Sequence, residues 1–591
     1  MRKTLIALCI VFVVAAHADV YYVDSRAGSD NNAGTSADEA FATFDRVADL
    51  ELQPGDSVLL RRSCTFEAPL ITKGNGTADN PVRIAAYGEG NKPEILGSMT
   101  LEDWQRHEGD VFRVSVPAEV FSGRHDIYSV FEYDDALPVR LQRDDEIPHE
   151  RGHFHFDTDS MTLYVITTDG TSPANHRLEV PVIEMLVNMR DRQWVEFQDL
   201  AFLFGNCRHI VMHNCSSITF RNCASLFVGH YGNPNILILD DSTQVQILDC
   251  FLYENINCGI YLSSGSHHNR VAGCTIVKCA SNDGVTCHAG GRNEHGVRQG
   301  LTGDHNVIES NVIGLCPEES IDITSGDHHV IRGNICYGNG NPGIIVGHDS
   351  DHILITNNIC FHNDHAGIMV SGNPDEGSRG HNRVIGNLCY ENRFPGLELQ
   401  SSDTEVYNNT FVNSRERVTL RINPKGHGSI LRNNIIANLD HQIGQRNLHF
   451  IRCTPGSANV QMSHNLLYHA ADERKEEVFF PKAALIRTDD GEFTVPQFVE
   501  RYDTGTDTLV APPDLTAIDE GLYLLSSGSP AINAGTDVGL PYTGDAPDLG
   551  WKDLGESDSA PEYPPVLIDG TDDRADILQL WGKYETASDA Q

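Results

Sequence analysis

Side chains suited to acid–base chemistry recur at one position of short apolar strands. Six similar phrases follow a Gly or Ser, at Gly259, Gly284, Ser320, Gly343, Gly367 and Gly396. Successive side chains of a β-strand point to opposite faces, so the residues between the apolar ones face outward. The outward pairs are Tyr261/Ser263, Thr286/His288, Asp322/Thr324, Ile345/Gly347, Met369/Ser371 and Glu398/Gln400, and Asp283 and Glu319 precede two of these strands.

Proton abstraction beside a carboxylate is the first reaction that this column suits. A uronate lyase or C5-epimerase needs a base, an acid and a cation that neutralises the substrate carboxylate. We predict His288 as the base and Tyr261 as the acid. This chemistry implies a polysaccharide substrate that contains uronates.

Two insertions into the repeat are predicted to bind that substrate. The extra residues 289–303 contain Arg292 and Arg298, and a shorter insertion at 373–380 contains Arg379. Long loops in compact repeat proteins are often functional and tend to line the binding face. The predicted substrate-binding residues are Arg292, Arg298, Thr286, Thr324, Arg379 and Glu398.

Glycoside hydrolysis is the alternative reaction. It needs two carboxyl groups, about 5–5.5 Å apart in retaining enzymes and about 6.5–9.5 Å apart in inverting ones. Asp322 with Glu319 or Asp283, from the adjacent coil, meets this requirement. Glu398 lies three coils from Asp322, roughly 14 Å away, so these two do not form the pair.

Two other interpretations of the column stay open. The hard oxygen ligands of Asp322 and Glu319 suit Ca²⁺, although no loop here matches a calcium motif. A non-catalytic, glycan-binding or surface protein would carry the same column without turnover.

A repeat of about two dozen residues explains the column. The phrase Asn, apolar, apolar-or-Cys starts at intervals of 23, 24, 29, 22 and 25 residues, at Asn311, Asn334, Asn358, Asn387, Asn409 and Asn434. Short β-rich stretches separated by Gly and Asn turns indicate strands, and this period is one coil of a parallel β-helix. A leucine-rich repeat is the rival solenoid, but its regular Leu spacing is missing. The 15 cysteines recur partly at the repeat period, which favours buried free thiols over disulfides.

The fold class predicted is an all-β, right-handed parallel β-helix with a small antiparallel β subdomain inserted near the N-terminus. The predicted organisation is a signal peptide (1–18), an N-terminal cap with the first coils (19–97), the inserted subdomain (98–180), central repeats (181–470), C-terminal coils and tail (471–555), and an acidic Pro-rich tail with a short helix (556–591).

The start of the chain and its charge bear on location and partners. Met1-Arg2-Lys3, an apolar run and Ala16-His17-Ala18 form the pattern of a secretory signal peptide, which predicts a secreted or periplasmic protein. A formal net charge of −40 repels nucleic acid and anionic membranes. No later stretch is apolar for long enough to span a bilayer. We expect a monomer.

Two parts of the chain resemble known carbohydrate-active β-helix proteins. Gly284-Val-Thr-Cys-His288 resembles the catalytic strip of mannuronan C5-epimerases and related alginate lyases, with the Gly and the His matching. Thr286 stands at the family's Asp position and Asp283 at its Tyr position. The N-terminal third, including Leu137-Pro and Tyr164-Val, resembles β-helix glycoside hydrolases of the xylosidase and fucosidase kind. These resemblances imply a carbohydrate-active enzyme, with a lyase or epimerase as the leading expectation and a glycoside hydrolase as the rival.

Overall fold

The computed structural model describes residues 18–134, 137–229, 234–263, 265–288, 303–371, 380–415, 418–423, 426–439, 449–453, 460–470, 486–502 and 507–552. They form a parallel β-helix, as the repeat predicted. From Met185 on, each coil contributes one strand to each of three long sheets, whereas the earlier coils contribute strands to two of them, and strands of neighbouring coils pair with one another. Stacking of coils therefore buries side chains that no single coil could bury alone.

Sheet 1 contains 14 described strands, all parallel. They are Val20–Val23, Ser57–Arg61, Val82–Tyr87, Gln193–Gln198, Ser216–Arg221, Gln246–Leu248, Arg270–Ala272, Val307–Glu309, Val330–Arg332, Leu354–Thr356, Arg383–Ile385, Glu405–Tyr407, Ile430–Arg432 and Gln461–Ser463.

Sheet 2 contains 13 described strands. They are Thr65–Phe66, Glu94–Leu96, Ala201–Leu203, Ala224–Leu226, Phe251–Tyr253, Thr275–Val277, Val312–Gly314, Ile335–Tyr337, Ile359–Phe361, Leu388–Tyr390, Thr410–Val412, Ile435–Asn438 and Leu466–His469.

Sheet 3 carries the predicted column of acid–base residues and contains 13 described strands, the last of them antiparallel. They are Met185–Arg190, Arg208–His213, Ile236–Leu239, Ile260–Ser263, Val285–His288, Ile321–Asp327, Ile344–Asp351, Ile368–Ser371, Leu397–Gln400, Leu420–Ile422, Ile451–Cys453, Ile486–Thr488 and Gly491–Phe493.

Antiparallel strands interrupt the solenoid between its early coils. Strand Glu94–Leu96 pairs directly with Ala201–Leu203, so the chain returns to the same stack after the interruption. The intervening strands form two small sheets: Ser98–Met99, Gln105–Glu108, Val111–Ser115, Phe131–Asp134, Leu137–Arg140, Gln142–Arg143, His153–Asp157, Thr162–Ile166 and Leu178–Pro181.

Helices are few and short in the described residues. The α-helices are Phe44–Ala48, whose Thr43 hydroxyl accepts a bond from the Asp45 amide, and Val495–Tyr502. The 3₁₀ turns are Ala37–Glu39, Ala118–Val120 and Pro173–Asn175, and the remaining short strand pairs are Glu51–Leu52 with Lys73–Gly74 and Leu515–Thr516 with Leu524–Leu525. None of the described helices is long and apolar enough to cross a membrane. The predicted helix within 556–591 and nearly all of the predicted signal peptide lie outside the described residues.

The interior contains apolar side chains and unpaired thiols. Cys336, Cys360 and Cys389 occupy facing positions on neighbouring strands of sheet 2, and all three are fully buried. They and the other described cysteines are free thiols. Cysteine here acts as a small apolar residue of the core.

The recurring Asn forms a continuous internal ladder. Each side-chain amide donates to the carboxamide oxygen of the Asn in the next coil at 2.9–3.0 Å. The members are Asn311, Asn334, Asn358, Asn387, Asn409, Asn434 and Asn465. Because these amides are buried, each one depends on its neighbours for hydrogen bonds.

Removing one rung is expected to destabilise the coils on both sides. Asn358→Ala leaves the Asn334 backbone N–H and the Ile331 carbonyl without their partners. Buried polar groups that lose their partners cost about 1–3 kcal/mol each, so we expect the free energy of unfolding to fall by roughly 3 kcal/mol in urea denaturation. The exposed Asn175→Ala is the matched control, and equal losses in the two variants would contradict a structural ladder.

Candidate active site

The outward column of sheet 3 is continuous over neighbouring coils. Tyr261 pairs with Thr286, and Thr286 pairs with Asp322. The alternate residues Val285, Cys287, Ile321 and Ile323 are at most 2% exposed and belong to the core. Strand alternation therefore places the acid–base groups on the outer face of the β-helix, while the alternate apolar side chains anchor each strand in the core.

Asp283 and Glu319 form a buried acidic pair beside this column. They directly precede corresponding strands of adjacent coils, so stacking brings them together. The Glu319 backbone N–H donates to Asp283 Oδ1 at 3.1 Å, and the Thr286 hydroxyl donates to Oδ2 at 2.8 Å. The Glu319 carboxyl also hydrogen-bonds Asp283 through its side chain. Asp283 thus receives three hydrogen bonds. Such bonds favour the ionised form of a carboxyl group.

Burial and mutual repulsion raise the pKa values of the carboxyl groups in this cluster. Burial and the negative charge of Asp283 raise the pKa of Glu319 to about 9. Burial and the charges of Asp283 and Glu318 raise the pKa of Asp322 well above its ordinary value. The pKa of Asp283 is also raised by burial, although its hydrogen bonds from Glu319 and Thr286 oppose that shift. Adjacent coils therefore hold carboxyl groups of raised pKa next to Asp283, the one among them with hydrogen bonds that oppose the shift.

Tyr261 and His288 form a second group on the same face. Their ring centroids lie 5.9 Å apart with the ring planes tilted by 42°. Burial and the charges of Cys258, Asp322 and Asp283 raise the pKa of Tyr261 to about 12, despite a hydrogen bond with Ser263. Tyr261 therefore stays protonated at neutral pH and can donate a hydrogen bond.

The acidic cluster also has the composition of a hard-cation site. One carboxylate oxygen each from Asp283, Glu318 and Glu319 lies within 4.8 Å of the others. Carboxylate oxygens are the ligands that Ca²⁺ prefers. Glu319 of the predicted pair thus belongs to a group of three carboxyl groups, among the described residues, whose oxygens are close enough to hold such an ion.

The predicted substrate-binding residues differ in burial and in the groups that they contact. Thr286 is buried and uses its hydroxyl on Asp283, so it positions that carboxylate. The Thr324 hydroxyl donates to the Cys287 carbonyl at 3.0 Å. Glu398 is in the predicted column, three strands beyond Asp322, and is buried against an arginine. Arg292, Arg298 and Arg379 lie outside the described residues.

Several groups near the site were not among the predicted residues. Glu318 is exposed at the edge of the acidic cluster, and its adjacency to Glu319 in the sequence was the available signal. Cys258 lies in the preceding coil with its thiol 3.3 Å from the Thr286 hydroxyl.

Farther along the same column, toward the C-terminus, lie Arg421, Arg452 and Arg487. The phrase apolar-Arg, which starts at positions 420, 451 and 486, could have indicated them.

The buried pair makes a prediction for stability. Glu319 ionises near pH 4.3 in an unfolded chain but holds its proton to about pH 9 when folded. Between these values folding takes up a proton, so this group lowers stability progressively as the pH rises. We expect Glu319→Gln to raise the melting temperature relative to wild type more at pH 8 than at pH 4. Glu196→Gln, on an exposed face, is the control, and a shift independent of pH would contradict the raised pKa.

Known proteins match this chain in part. A model of the family described as periplasmic copper-binding protein (NosD) matches residues 292–438. The curated lacto-N-biosidase of Bifidobacterium longum subsp. longum is 38% identical over 101 residues, which are 15% of this chain. That match covers only 6% of the relative's own length.

Solved structures resemble the chain over larger spans. A structure described as a glycoside hydrolase has a TM-score of 0.47 at 12% sequence identity. The alignment covers 64% of this chain and 94% of the chain of that structure. Pectate lyase Pel9A has a TM-score of 0.40 at 15% identity, covering 90% of this chain and 96% of its own. The predicted resemblance to carbohydrate-active proteins agrees with the match to the lacto-N-biosidase over 101 residues.

Proposed function

We propose that this protein is a secreted or periplasmic glycoside hydrolase that cleaves a glycan lying on the outward face of sheet 3. One observation carries the proposal: Asp322, a half-buried carboxyl group on the outer face, lies one coil from the buried carboxyl group of Asp283, which accepts hydrogen bonds from Thr286 and the Glu319 N–H. Glycoside hydrolysis needs two carboxyl groups, one as acid and one as base or nucleophile.

The proposed roles follow from exposure and hydrogen bonding. Asp322, which is half-buried on the outer face, protonates the glycosidic oxygen as the bond breaks. Asp283 acts as the base that takes a proton from water. Glu319 and Thr286 are positioning residues, because their hydrogen bonds fix Asp283.

Burial favours a reaction with inversion. Asp283 is 3% exposed, so a water molecule between it and the sugar suits the site better than a direct bond to the ring. Asp283 Oδ2 accepts a hydrogen bond at 2.8 Å from the hydroxyl of Thr286, the residue that pairs with Asp322 on the next strand, about 4.8 Å away. An inverting mechanism requires room for a water molecule between the two carboxyl groups, about 6.5–9.5 Å apart.

A uronate lyase or C5-epimerase is the second candidate, and the contact between Tyr261 and His288 favours it. In that reaction His288 would take the proton and Tyr261 would donate one, while a cation would neutralise the substrate carboxylate. The groups that shift the pKa of Asp322 are acidic, which favours hydrolysis over elimination at the cluster.

Product masses from a panel of neutral and acidic glycans separate the two candidates. Hydrolysis is expected to give saturated fragments that have each taken up one water, with a rate that a chelator leaves unchanged. Fragments with an unsaturated uronate would overturn the hydrolase proposal and establish elimination, with His288→Ala as the next variant.

A further inference from the structure

The outward column of sheet 3 continues from the acidic cluster into a row of arginines. Beyond Asp322 the facing residues are Ile345, Met369 and Glu398, and then Arg421, Arg452 and Arg487 on three successive strands. Neighbouring strands are about 4.8 Å apart, so the row begins roughly 19 Å from Asp322 and ends roughly 29 Å from it. We call Arg421, Arg452 and Arg487 the arginine row.

The positive charge of this row is only partly compensated. Arg421 contacts Glu398 at 3.2 Å, and the buried Nε of Arg421 has no hydrogen-bond acceptor. Within the described parts of the chain, neither Arg452 nor Arg487 has an ion-pair partner. Glu492 faces Arg487 on the final antiparallel strand, but its carboxylate bonds His449 at 2.9 Å.

The three guanidinium groups lie on successive strands about 4.8 Å apart and repel one another. Burial and the charges of Arg421 and Arg487 lower the pKa of Arg452. Glu398 is itself fixed by Gln400 at 2.7 Å and Asn423 at 3.2 Å, so it holds Arg421 in place at one end of the row. A stack of like charges maintained at this spacing is suited to a ligand with repeated negative groups.

We propose that the arginine row binds carboxylate groups of an acidic glycan whose chain runs along sheet 3 to the acidic cluster. This inference rests on the proposed function and specifies its substrate: uronate residues on one side of the bond that is cleaved. The arginines bind those residues, while the cluster around Asp322 performs the chemistry.

The test is binding of a uronate oligosaccharide long enough to span the row, measured by calorimetry on the mature full-length chain. The matched ligand is the same oligosaccharide with its carboxyl groups reduced to alcohols. Loss of a hydrogen bond to a charged group weakens binding about tenfold or more, so Arg452→Gln and Arg487→Gln are each expected to raise the Kd for the acidic ligand by about tenfold. Added salt should weaken wild-type binding and affect the double variant less.

Two controls separate this inference from the proposed function. Arg432→Gln, in sheet 1 near the strand of Arg421, should bind like wild type. Asp322→Asn should also bind like wild type, so its loss of turnover reports on the chemistry alone. Equal affinity for the acidic and the reduced ligand, or unchanged binding in the two arginine variants, would overturn the inference. Tight binding of a sulfated glycan only would also overturn it, because it would assign the row to sulfate groups.

Discussion

Replacing Asp322 by Asn is expected to lower kcat by about 10²- to 10⁴-fold, the range that a general acid contributes. The amide keeps the size of the side chain but cannot give a proton to the glycosidic oxygen. Asp322 lies on the outer face, and burial and the charges of Asp283 and Glu318 raise its pKa, which favours the protonated form that a general acid needs. Initial rates on a natural glycan, with KM measured alongside, provide the comparison.

The exposed Asp241→Asn, two coils before Asp283, controls for general effects of removing a carboxylate. A melting temperature close to that of wild type would show that Asp322→Asn is folded. If the folded Asp322→Asn variant turned over the glycan at the wild-type rate, Asp322 would not be the acid.

Asp283→Asn is expected to lower kcat by a similar factor for a different reason. The amide cannot take a proton from water, and it loses the charge for which the Thr286 hydroxyl and the Glu319 N–H are arranged. Glu319 then faces a neutral neighbour, so its own pKa should fall toward the ordinary range. The same kinetic assay applies.

Substrates with an activated leaving group distinguish the two roles. Such a group departs without protonation, so these substrates should recover most of the activity of Asp322→Asn. Asp283→Asn should stay impaired on them, because attack by water still needs a base. The opposite pattern would exchange the roles of the two residues.

The architecture was predictable because it repeats. The spacing of the Asn phrase defined the coils, and period-two alternation then identified the outer face of each strand, including Asp322, Thr286 and Tyr261. Every coil must bury its apolar face against the neighbouring coils. A sequence pattern recognised in one coil therefore predicts the strands of many others. The first outward position of the column, from Tyr261 to Glu398, has the register expected from the sequence, while a register shift after Ile323 displaces Thr324 from the predicted second position.

The electrostatic character of the site could not be predicted in this way. Asp283 and Glu319 precede their strands. Only the path of the turns brings their carboxyl groups into contact and buries them. Thr286 and Glu398, which the sequence suggested as substrate contacts, also contact Asp283 and Arg421, and the sequence did not indicate these contacts. Sequence alternation gives the face of a side chain but not which neighbour takes its hydrogen bonds.

The arginine row was missed because insertions lengthen its coils. The intervals from Arg421 to Arg452 and from Arg452 to Arg487 are 31 and 35 residues, beyond the period of about 24 used to trace the repeat. The described strands nevertheless pair in register.

Cleavage in water enriched in ¹⁸O tests the central claim most directly. Wild type and Asp322→Asn are incubated with the same glycan, and product masses are compared with those from ordinary water. We predict one ¹⁸O atom at each new reducing end with wild type, first formed with inverted configuration, and almost no product with Asp322→Asn. Unsaturated products without ¹⁸O, or equal product from the two proteins, would contradict hydrolysis at this carboxyl cluster.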